Sequence, residues 1–153
     1  MRSHPRARGI GQMPLLAALS LAAAAVGQAP LRIERGAGPL DAFGHHVVRL
    51  LDLNKDGVDD WAVASPGAAV NGPQTGAVHV YSGRDAKLLH LFYGADREDR
   101  FGYALSSAGD VDQDGYGDLL IGAPGDAPPG WTGTSAPGSV QVISGRDGKI
   151  LAT

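Results

Sequence analysis

The sequence predicts an all-β protein built from β-propeller blades, and three observations support this prediction. The 153 residues include 23 glycines and 10 prolines, which favour short strands joined by many turns over long helices. The chain repeats itself at a spacing of about 60 residues. Each repeat contains four short apolar or alternating segments with turn residues between them, and a unit of four such strands is typical of a propeller blade.

The four predicted strands of the first repeat are separated by glycine, proline or aspartate turns. The second strand, Trp61-Ala-Val-Ala64, is continuously apolar, and so is its counterpart Leu119-Leu-Ile-Gly122. Continuous apolar runs are expected of an inner strand that is covered on both faces. The predicted strands span residues 44–51, 61–65, 77–81 and 87–93.

The repeat is visible in fixed landmarks, since Phe43-Gly44 recurs 58 residues later as Phe101-Gly102. After residue 67 of the first repeat the offset grows from 58 to 62 residues. This change indicates a four-residue insertion in the loop 125–137, which carries Trp131 and is expected to face solvent. The further matched landmarks are Asp52, Asp56, Gly57, Asp60, Pro66 and Gly67, followed by Asp110, Asp114, Gly115, Asp118, Pro124 and Gly125.

The repeat predicts blade-forming units at about residues 31–100 and 101–153, the second one truncated. Residues 31–36 correspond to 89–94 and are expected to be a flanking strand that ends an earlier unit. Propellers close with four to eight blades, so two blades cannot form a ring. Further blades from a longer chain, or self-association, are therefore expected.

The first residues differ from the remainder of the chain. Three arginines precede an apolar run of about 14 residues, which is too short for a membrane-spanning helix of roughly 20. Small residues follow the run. This order is typical of a secretory leader, with an uncleaved membrane anchor as the alternative. We expect a signal peptide at 1–27, an exported propeller region at 28–153, and no transmembrane segment after cleavage. The residues that define the predicted leader are Arg2, Arg6, Arg8, the apolar run 13–26, Gly27 and Ala29.

The predicted mature chain is acidic. The leader carries three arginines and no acid, which leaves 10 basic against 16 acidic side chains and a formal charge of −6. Nucleic-acid binding requires a basic surface and is therefore not expected. The chain has no cysteine, so packing, an ion or neighbouring units must stabilise the exported domain in place of disulfides.

Two matched aspartate-rich loops, residues 52–60 and 110–118, are the candidate metal sites. Each places oxygen side chains at loop positions one, three, five and nine. Gly57 and Gly115 permit a tight reversal that turns the next carbonyl inward. Calcium takes six to eight hard oxygen ligands in flexible geometry, so two calcium sites are predicted. The predicted ligands are Asp52, Asn54, Asp56, the Val58 carbonyl and Asp60 in the first loop, and Asp110, Asp112, Asp114, the Tyr116 carbonyl and Asp118 in the second.

Three other interpretations compete with calcium binding in these loops. An EF-hand requires a bidentate glutamate at position twelve, where this chain has Val63 and Ile121. Magnesium prefers a strict octahedron with several retained waters, which suits the loops less well. Ordinary hairpin turns with aspartate caps remain an alternative. The second loop has four aspartates where the first has three and an asparagine, so tighter binding is predicted at the second.

The remaining motifs do not indicate catalysis. The chain has no Gly-x-Ser-x-Gly elbow, no cysteine nucleophile and no His-Glu-x-x-His zinc motif, so it is not expected to be an enzyme. His45 and His46 are adjacent on a predicted strand, where neighbouring side chains face opposite sides. The Ser-Gly-Arg-Asp segments 82–85 and 144–147 are predicted hairpin turns in which arginine and aspartate pair across the bend.

Together these landmarks resemble a known family. Phe-Gly, then Asp-x-Asp/Asn-x-Asp-Gly-x-x-Asp, then Gly122-Ala-Pro124 is similar to the FG-GAP repeat of integrin α-subunit β-propellers. The first repeat departs from it with Ala64-Ser-Pro66. The resemblance covers about residues 31–153. It implies that each repeat is a four-stranded blade with a structural calcium ion in the loop between its first two strands, and that neighbouring loops bind partners.

The resemblance and the leader together predict an exported, calcium-binding FG-GAP module. Its expected role is binding or cell adhesion at the cell surface, in the periplasm or outside the cell, with an unknown protein or surface ligand as the partner. Two alternatives remain, namely an accessory propeller fragment of a larger secreted hydrolase and a truncated gene product without independent function.

Overall fold

A computed structural model describes residues 34–153 as two antiparallel sheets of four strands each. The predicted signal peptide and the first half of the predicted flanking strand lie outside the described residues, and residues 34–46 form no strand. The first sheet contains β1 (Val47–Arg49), β2 (Trp61–Ser65), β3 (Ala77–Tyr81) and β4 (Leu88–Tyr93). The second contains β5 (Ala104–Gly109), β6 (Asp118–Ala123), β7 (Ser139–Ile143) and β8 (Ile150–Ala152).

In both sheets the spatial order of the strands equals their order in the chain, so every connection within a sheet is a hairpin. The all-β fold and the two four-stranded blades are therefore confirmed. β2 and β3 have the predicted bounds, whereas β1 begins at Val47 and not at Gly44. The reason is local, because Gly44 has a φ of 91° and the chain still turns there. The described residues contain no helix whose length and apolar character would let it span a membrane.

The two blades pack face to face across one apolar core. Side chains alternate across a strand, so one face of each sheet supplies this core. The first blade contributes alanine and valine side chains, and the second contributes mainly leucine and isoleucine. The buried residues are Ala62, Ala64, Val78 and Val80 from the first blade, and Leu119, Ile121, Ala123 and Ile143 from the second.

The opposite face of the second blade is open. Leu120 is 38% exposed and Val140 is 53% exposed, although their counterparts in the first blade, Ala62 and Val78, are fully buried. The prediction that both inner strands are covered on both faces is therefore wrong for β6. Among the described residues, no third sheet lies against this face, and periodicity alone does not reveal whether a neighbour is present.

The second Phe-Gly landmark joins the two blades. Phe101 is 3% exposed, and its backbone N–H donates to the carbonyl of Thr75 at 3.0 Å. The same residue forms an isolated bridge with Gly76. Gly76 has a φ of 80°, and a Cβ there would lie 2.2 Å from the Phe101 carbonyl oxygen. Only glycine allows this backbone approach. The landmark is thus a packing element that fixes one blade on the other.

His79 on β3 lies in a partly apolar environment. The ring of Phe43 contacts it edge-on at 5.3 Å between centroids, and its buried Nδ1 finds no hydrogen-bond partner within the described residues. Burial lowers the pKa of His79 below the ordinary value of 6.5, although the Asp41 carboxylate and the Val63 carbonyl act in the opposite direction. The neutral imidazole is therefore favoured in the folded state.

We expect the free energy of unfolding to decrease as the pH falls from 6.5 through the lowered pKa of His79. Over this window the unfolded chain binds more protons than the folded one, so stability rises with pH and is lost on acidification. His79→Gln copies Gln141, the corresponding residue of the second repeat. It should remove this part of the pH dependence in urea titrations between about pH 5 and 7.5. Equal pH profiles for the two proteins would contradict the expectation.

Candidate metal sites

The two acidic loops connect the first and second strands of their blades. The first acidic loop joins β1 to β2, and the second joins β5 to β6. Lys55 of the first loop donates a hydrogen bond to the Gly115 carbonyl of the second, so both loops lie at the same end of the structure. The hairpin thus positions each loop where the sequence repeat predicted it.

In the first acidic loop the side chains fold back onto their own backbone. The carboxylate of Asp52 accepts hydrogen bonds from the N–H groups of Asp56 (3.0 Å) and Gly57 (2.7 Å). The Asn54 side-chain oxygen accepts from the N–H of Asp56 (3.0 Å), and the Asp56 carboxylate accepts from that of Val58 (2.9 Å). These bonds direct the side chains at alternate positions towards one centre.

The second acidic loop repeats this geometry. Asp110 accepts from the N–H groups of Asp114 (3.0 Å) and Gly115 (2.9 Å). Asp112 accepts from the N–H of Asp114 (3.2 Å), and Asp114 accepts from that of Tyr116 (2.9 Å). Matched distances in the two loops differ by no more than 0.2 Å. The two candidate sites are therefore built alike from different flanking residues.

The aspartate at loop position nine is buried and holds the loop to the next hairpin. Asp118 is fully buried, and its two carboxylate oxygens accept from the N–H groups of Val111 (2.7 Å) and Gly145 (3.2 Å). A Cβ at Gly145 would lie 1.9 Å from the carbonyl oxygen of Gly117, which explains the glycine. In the first blade, Asp60 accepts equivalent bonds from the N–H groups of Leu53 (2.7 Å) and Gly83 (3.0 Å).

The second loop brings together three of its predicted ligands. One carboxylate oxygen from each of Asp110, Asp112 and Asp118 lies within 4.8 Å of the others. Each carboxylate oxygen offers two lone pairs, so the backbone bonds leave acceptor capacity for a cation. An all-oxygen donor set with several carboxylates has the chemistry that calcium prefers. In the first loop Asn54 occupies the place of Asp112, which gives the same donor type with one negative charge fewer.

The fifth-position aspartates have cationic neighbours that the sequence analysis missed. The Arg84 guanidinium lies 3.5 Å from the Asp56 carboxylate, and Arg146 lies 3.7 Å from that of Asp114. Arg84 also donates to the Asp56 carbonyl oxygen. The Ser82 hydroxyl donates to the Asp56 carboxylate at 3.1 Å. The Ser-Gly-Arg-Asp turns therefore contact the acidic loops. The sequence signal for this contact was that each repeat contains both an acidic loop and such a turn.

The predicted pairing of arginine with aspartate across each turn is wrong. Asp85 pairs with Lys87 at 2.7 Å, and Asp147 pairs with Lys149 at 2.6 Å. The bend directs the arginine towards the acidic loop and the aspartate towards the following strand. Sequence proximity does not determine on which side of a hairpin a long side chain lies.

The charge state of Asp56 suits cation binding. Desolvation raises the pKa of this carboxyl, but hydrogen bonds from Asn54, Val58 and Ser82 and the charge on Arg84 together outweigh it. The pKa of Asp56 therefore lies below its ordinary value. The carboxyl is ionised at neutral pH, which is the form a metal ligand requires.

The two adjacent histidines do not face opposite sides as predicted. Both precede β1, and their rings contact each other at 4.9 Å between centroids. The His45 ring also lies 5.2 Å from the ring of Tyr103 on the second blade. The strand begins later than expected, so the alternation of a strand does not apply to this pair.

The sequence profile of the FG-GAP repeat matches residues 43–81 and 101–143, which make up more than half of the chain. The chain belongs to the FG-GAP repeat family. Each matched segment of this FG-GAP chain begins at a Phe-Gly landmark and ends with the third strand of its blade. The match includes both acidic loops and confirms the predicted resemblance.

Integrin alpha subunits are among the curated relatives of the FG-GAP chain. Human integrin alpha-6 is 37% identical over 101 residues, covering 63% of this chain and 9% of the relative. Integrin alpha-5 of Xenopus laevis is 34% identical over 116 residues, covering 71% and 10%. Integrin alpha-V of Gallus gallus is 33% identical over 117 residues, covering 64% and 11%. The FG-GAP chain thus spans about a tenth of the length of these relatives.

Proposed function

We propose that this FG-GAP chain is an exported calcium-binding module with a binding or adhesion-type role at the cell surface or outside the cell. One calcium ion per acidic loop stabilises each blade. The observation that carries the proposal is the repetition of one loop geometry at matched points of two FG-GAP repeats. The proposed ligands are Asp52, Asn54, Asp56, Asp60 and the Val58 carbonyl, and Asp110, Asp112, Asp114, Asp118 and the Tyr116 carbonyl.

Electrostatics supports a cation in these loops. Each close pair of carboxylates costs roughly 1 kcal/mol at the dielectric of water and more when shielded from it. The oxygens of Asp110, Asp112 and Asp118 lie within 4.8 Å of one another, and one of these residues is fully buried. When bound, calcium supplies positive charge to this cluster. The chain's own residues orient the ligand oxygens through the backbone hydrogen bonds.

The proposed partners are an unidentified protein or surface ligand, together with further blades. Leu120 and Val140 lie on the face of the second blade that corresponds to the buried face of the first. We propose that a further blade, from a longer chain or from a second copy, covers this face. The excess of acidic residues disfavours nucleic acid as a partner. We assign no catalytic role to the FG-GAP chain.

Calorimetric titration of the purified protein with calcium should give two binding events, the tighter one at the second loop. Asp114→Ala removes a carboxylate at loop position five and should abolish binding at the second loop while the first loop still binds. Glu98→Gln removes one exposed negative charge outside both loops and is the matched control. Absence of binding up to about 10 mM calcium, above the range of extracellular calcium modules, would overturn the proposal.

A further inference from the structure

The first acidic loop has two sets of side chains that point in different directions. Asp52, Asn54 and Asp56 turn inward to accept hydrogen bonds from the loop backbone. The intervening residues Leu53 and Lys55 contact the second blade. The alternation therefore separates the candidate ligands from the groups that meet the neighbouring loop.

The leucine of this outward set packs against the hairpin turn beside the second loop. A Cβ at Gly145 would lie 2.8 Å from Cδ2 of Leu53, so the leucine side chain is seated directly on that glycine. Leu53 is only 6% exposed, whereas Val111, its counterpart in the second loop, is 52% exposed. Gly145 also donates its N–H to Asp118, one of the candidate ligands. Leu53 thus contacts a residue that positions the second site.

Lys55 reaches the second loop itself. Its backbone has a φ of 59°, and its ammonium donates to the Gly115 carbonyl oxygen. The same ammonium lies 4.2 Å from the centroid of the Tyr116 ring, a cation–π distance. Gly115 and Tyr116 lie between the candidate ligands Asp114 and Asp118. The first loop therefore contacts the backbone segment that forms the second site.

We propose that the two loops bind calcium cooperatively, coupled through Leu53 and Lys55. This inference rests on the proposed function, because it requires both loops to bind. A cation in either loop holds the contacts of Leu53 and Lys55 in place, and these contacts then order the other loop before its own cation arrives. A ligand that binds to an already ordered segment loses less conformational entropy. By linkage, the second site raises the affinity of the first by the same factor.

The charge on Lys55 opposes cation binding at the second loop, whereas the contacts of Lys55 with Gly115 and Tyr116 favour the coupling. An ammonium beside the second loop repels a cation there, but it is exposed, already bonded to a carbonyl and screened by salt. The packing of Leu53 on Gly145 is buried and is not screened. The apolar contact therefore determines the sign, and the cooperativity is positive.

Calcium titration calorimetry of the full chain and two single-site variants tests the coupling. Asp56→Ala removes the first site, and Asp114→Ala removes the second. The site that remains should bind about five- to tenfold more weakly than the same site in the unaltered protein, by an equal factor in both directions. A loss of affinity in one direction only would show that the substitution disturbs the other loop directly and not through loss of calcium, and would overturn the proposal.

Two further variants test whether the coupling passes through Leu53 and Lys55. Leu53→Ala removes only the packing, and Lys55→Gln removes the ammonium contacts with Gly115 and Tyr116 while copying Gln113, the corresponding residue of the second loop. Each should reduce the coupling factor towards one. Val111→Ala and Gln113→Ala alter the matched exposed positions of the second loop and should leave it unchanged. Lys55→Gln is a surface substitution, so the test stands even if Leu53→Ala does not fold.

The outcomes separate this inference from the proposed function. If no calcium binds, the proposed function fails and the coupling with it. If both sites bind and each keeps its affinity when the other is removed, the function stands and the coupling is wrong. If removal of one site strengthens the other, repulsion dominates and the proposal is overturned. If the coupling survives both Leu53→Ala and Lys55→Gln, the assigned route is wrong.

Discussion

Phe101→Ala is expected to lower the free energy of unfolding by about 3–5 kcal/mol, the usual range for truncation of a buried phenylalanine. Phe101 is 3% exposed within the core that both blades share. Removal of its ring leaves a cavity between two sheets whose spacing is fixed by the Phe101–Gly76 bridge and by strand pairing. The sheets cannot close around the gap without breaking that bridge. Urea denaturation followed by circular dichroism measures the loss.

Phe43→Ala is the matched control, since Phe43 is the corresponding residue of the first Phe-Gly landmark. Its ring is only half-buried and contacts His79 edge-on. We expect a loss less than half that of Phe101→Ala, because less area is removed from a site that is already partly hydrated. Equal losses for the two variants would show that the landmark stabilises each blade separately and not the contact between blades.

Local sequence patterns predicted most of the strands. The alternation and turn residues around β2 and β3 placed both strands at their observed bounds, because each is a short apolar segment between strong turn signals. The predicted β1 was too long, because the chain still turns at Gly44, within a segment whose sequence pattern is that of a strand. The face of β6 that carries Leu120 was predicted to be buried, but burial depends on whether another sheet is present, and no local pattern encodes this.

The sequence predicted those features of the candidate sites that depend on the side-chain chemistry within one loop. Aspartates at alternate loop positions point to a cation because clustered carboxylates repel one another, and the structure brings Asp110, Asp112 and Asp118 together. The contacts of Arg84 and Lys55 with the loops were not predicted. These contacts join residues that lie 28 and 60 positions apart, and they depend on how hairpins and blades stack. Sequence spacing within one loop contains no such information.

Asp118 is both a candidate calcium ligand and the acceptor of two backbone hydrogen bonds. Asp118→Ala is therefore expected to destabilise the protein even without calcium. The substitution removes the acceptor of the buried Gly145 N–H and of the partly buried Val111 N–H. Each unpaired buried donor costs about 1–3 kcal/mol, so a loss of about 2–4 kcal/mol is expected after relief of the buried charge. Thermal and urea denaturation in the presence of a chelator measures this loss.

Asp112→Ala separates the two roles. Asp112 is exposed and accepts one hydrogen bond, from the N–H of Asp114 at 3.2 Å. With a chelator present, its replacement should cost less than about 1 kcal/mol, because the freed N–H can bind water. In saturating calcium both variants should lose the stabilisation that a bound ion gives, about 2.7 kcal/mol at a hundred times the dissociation constant. If Asp118→Ala were harmless in the chelator, the buried carboxylate would act only as a ligand. If Asp112→Ala lost nothing in calcium, the second loop would hold its ion without that residue.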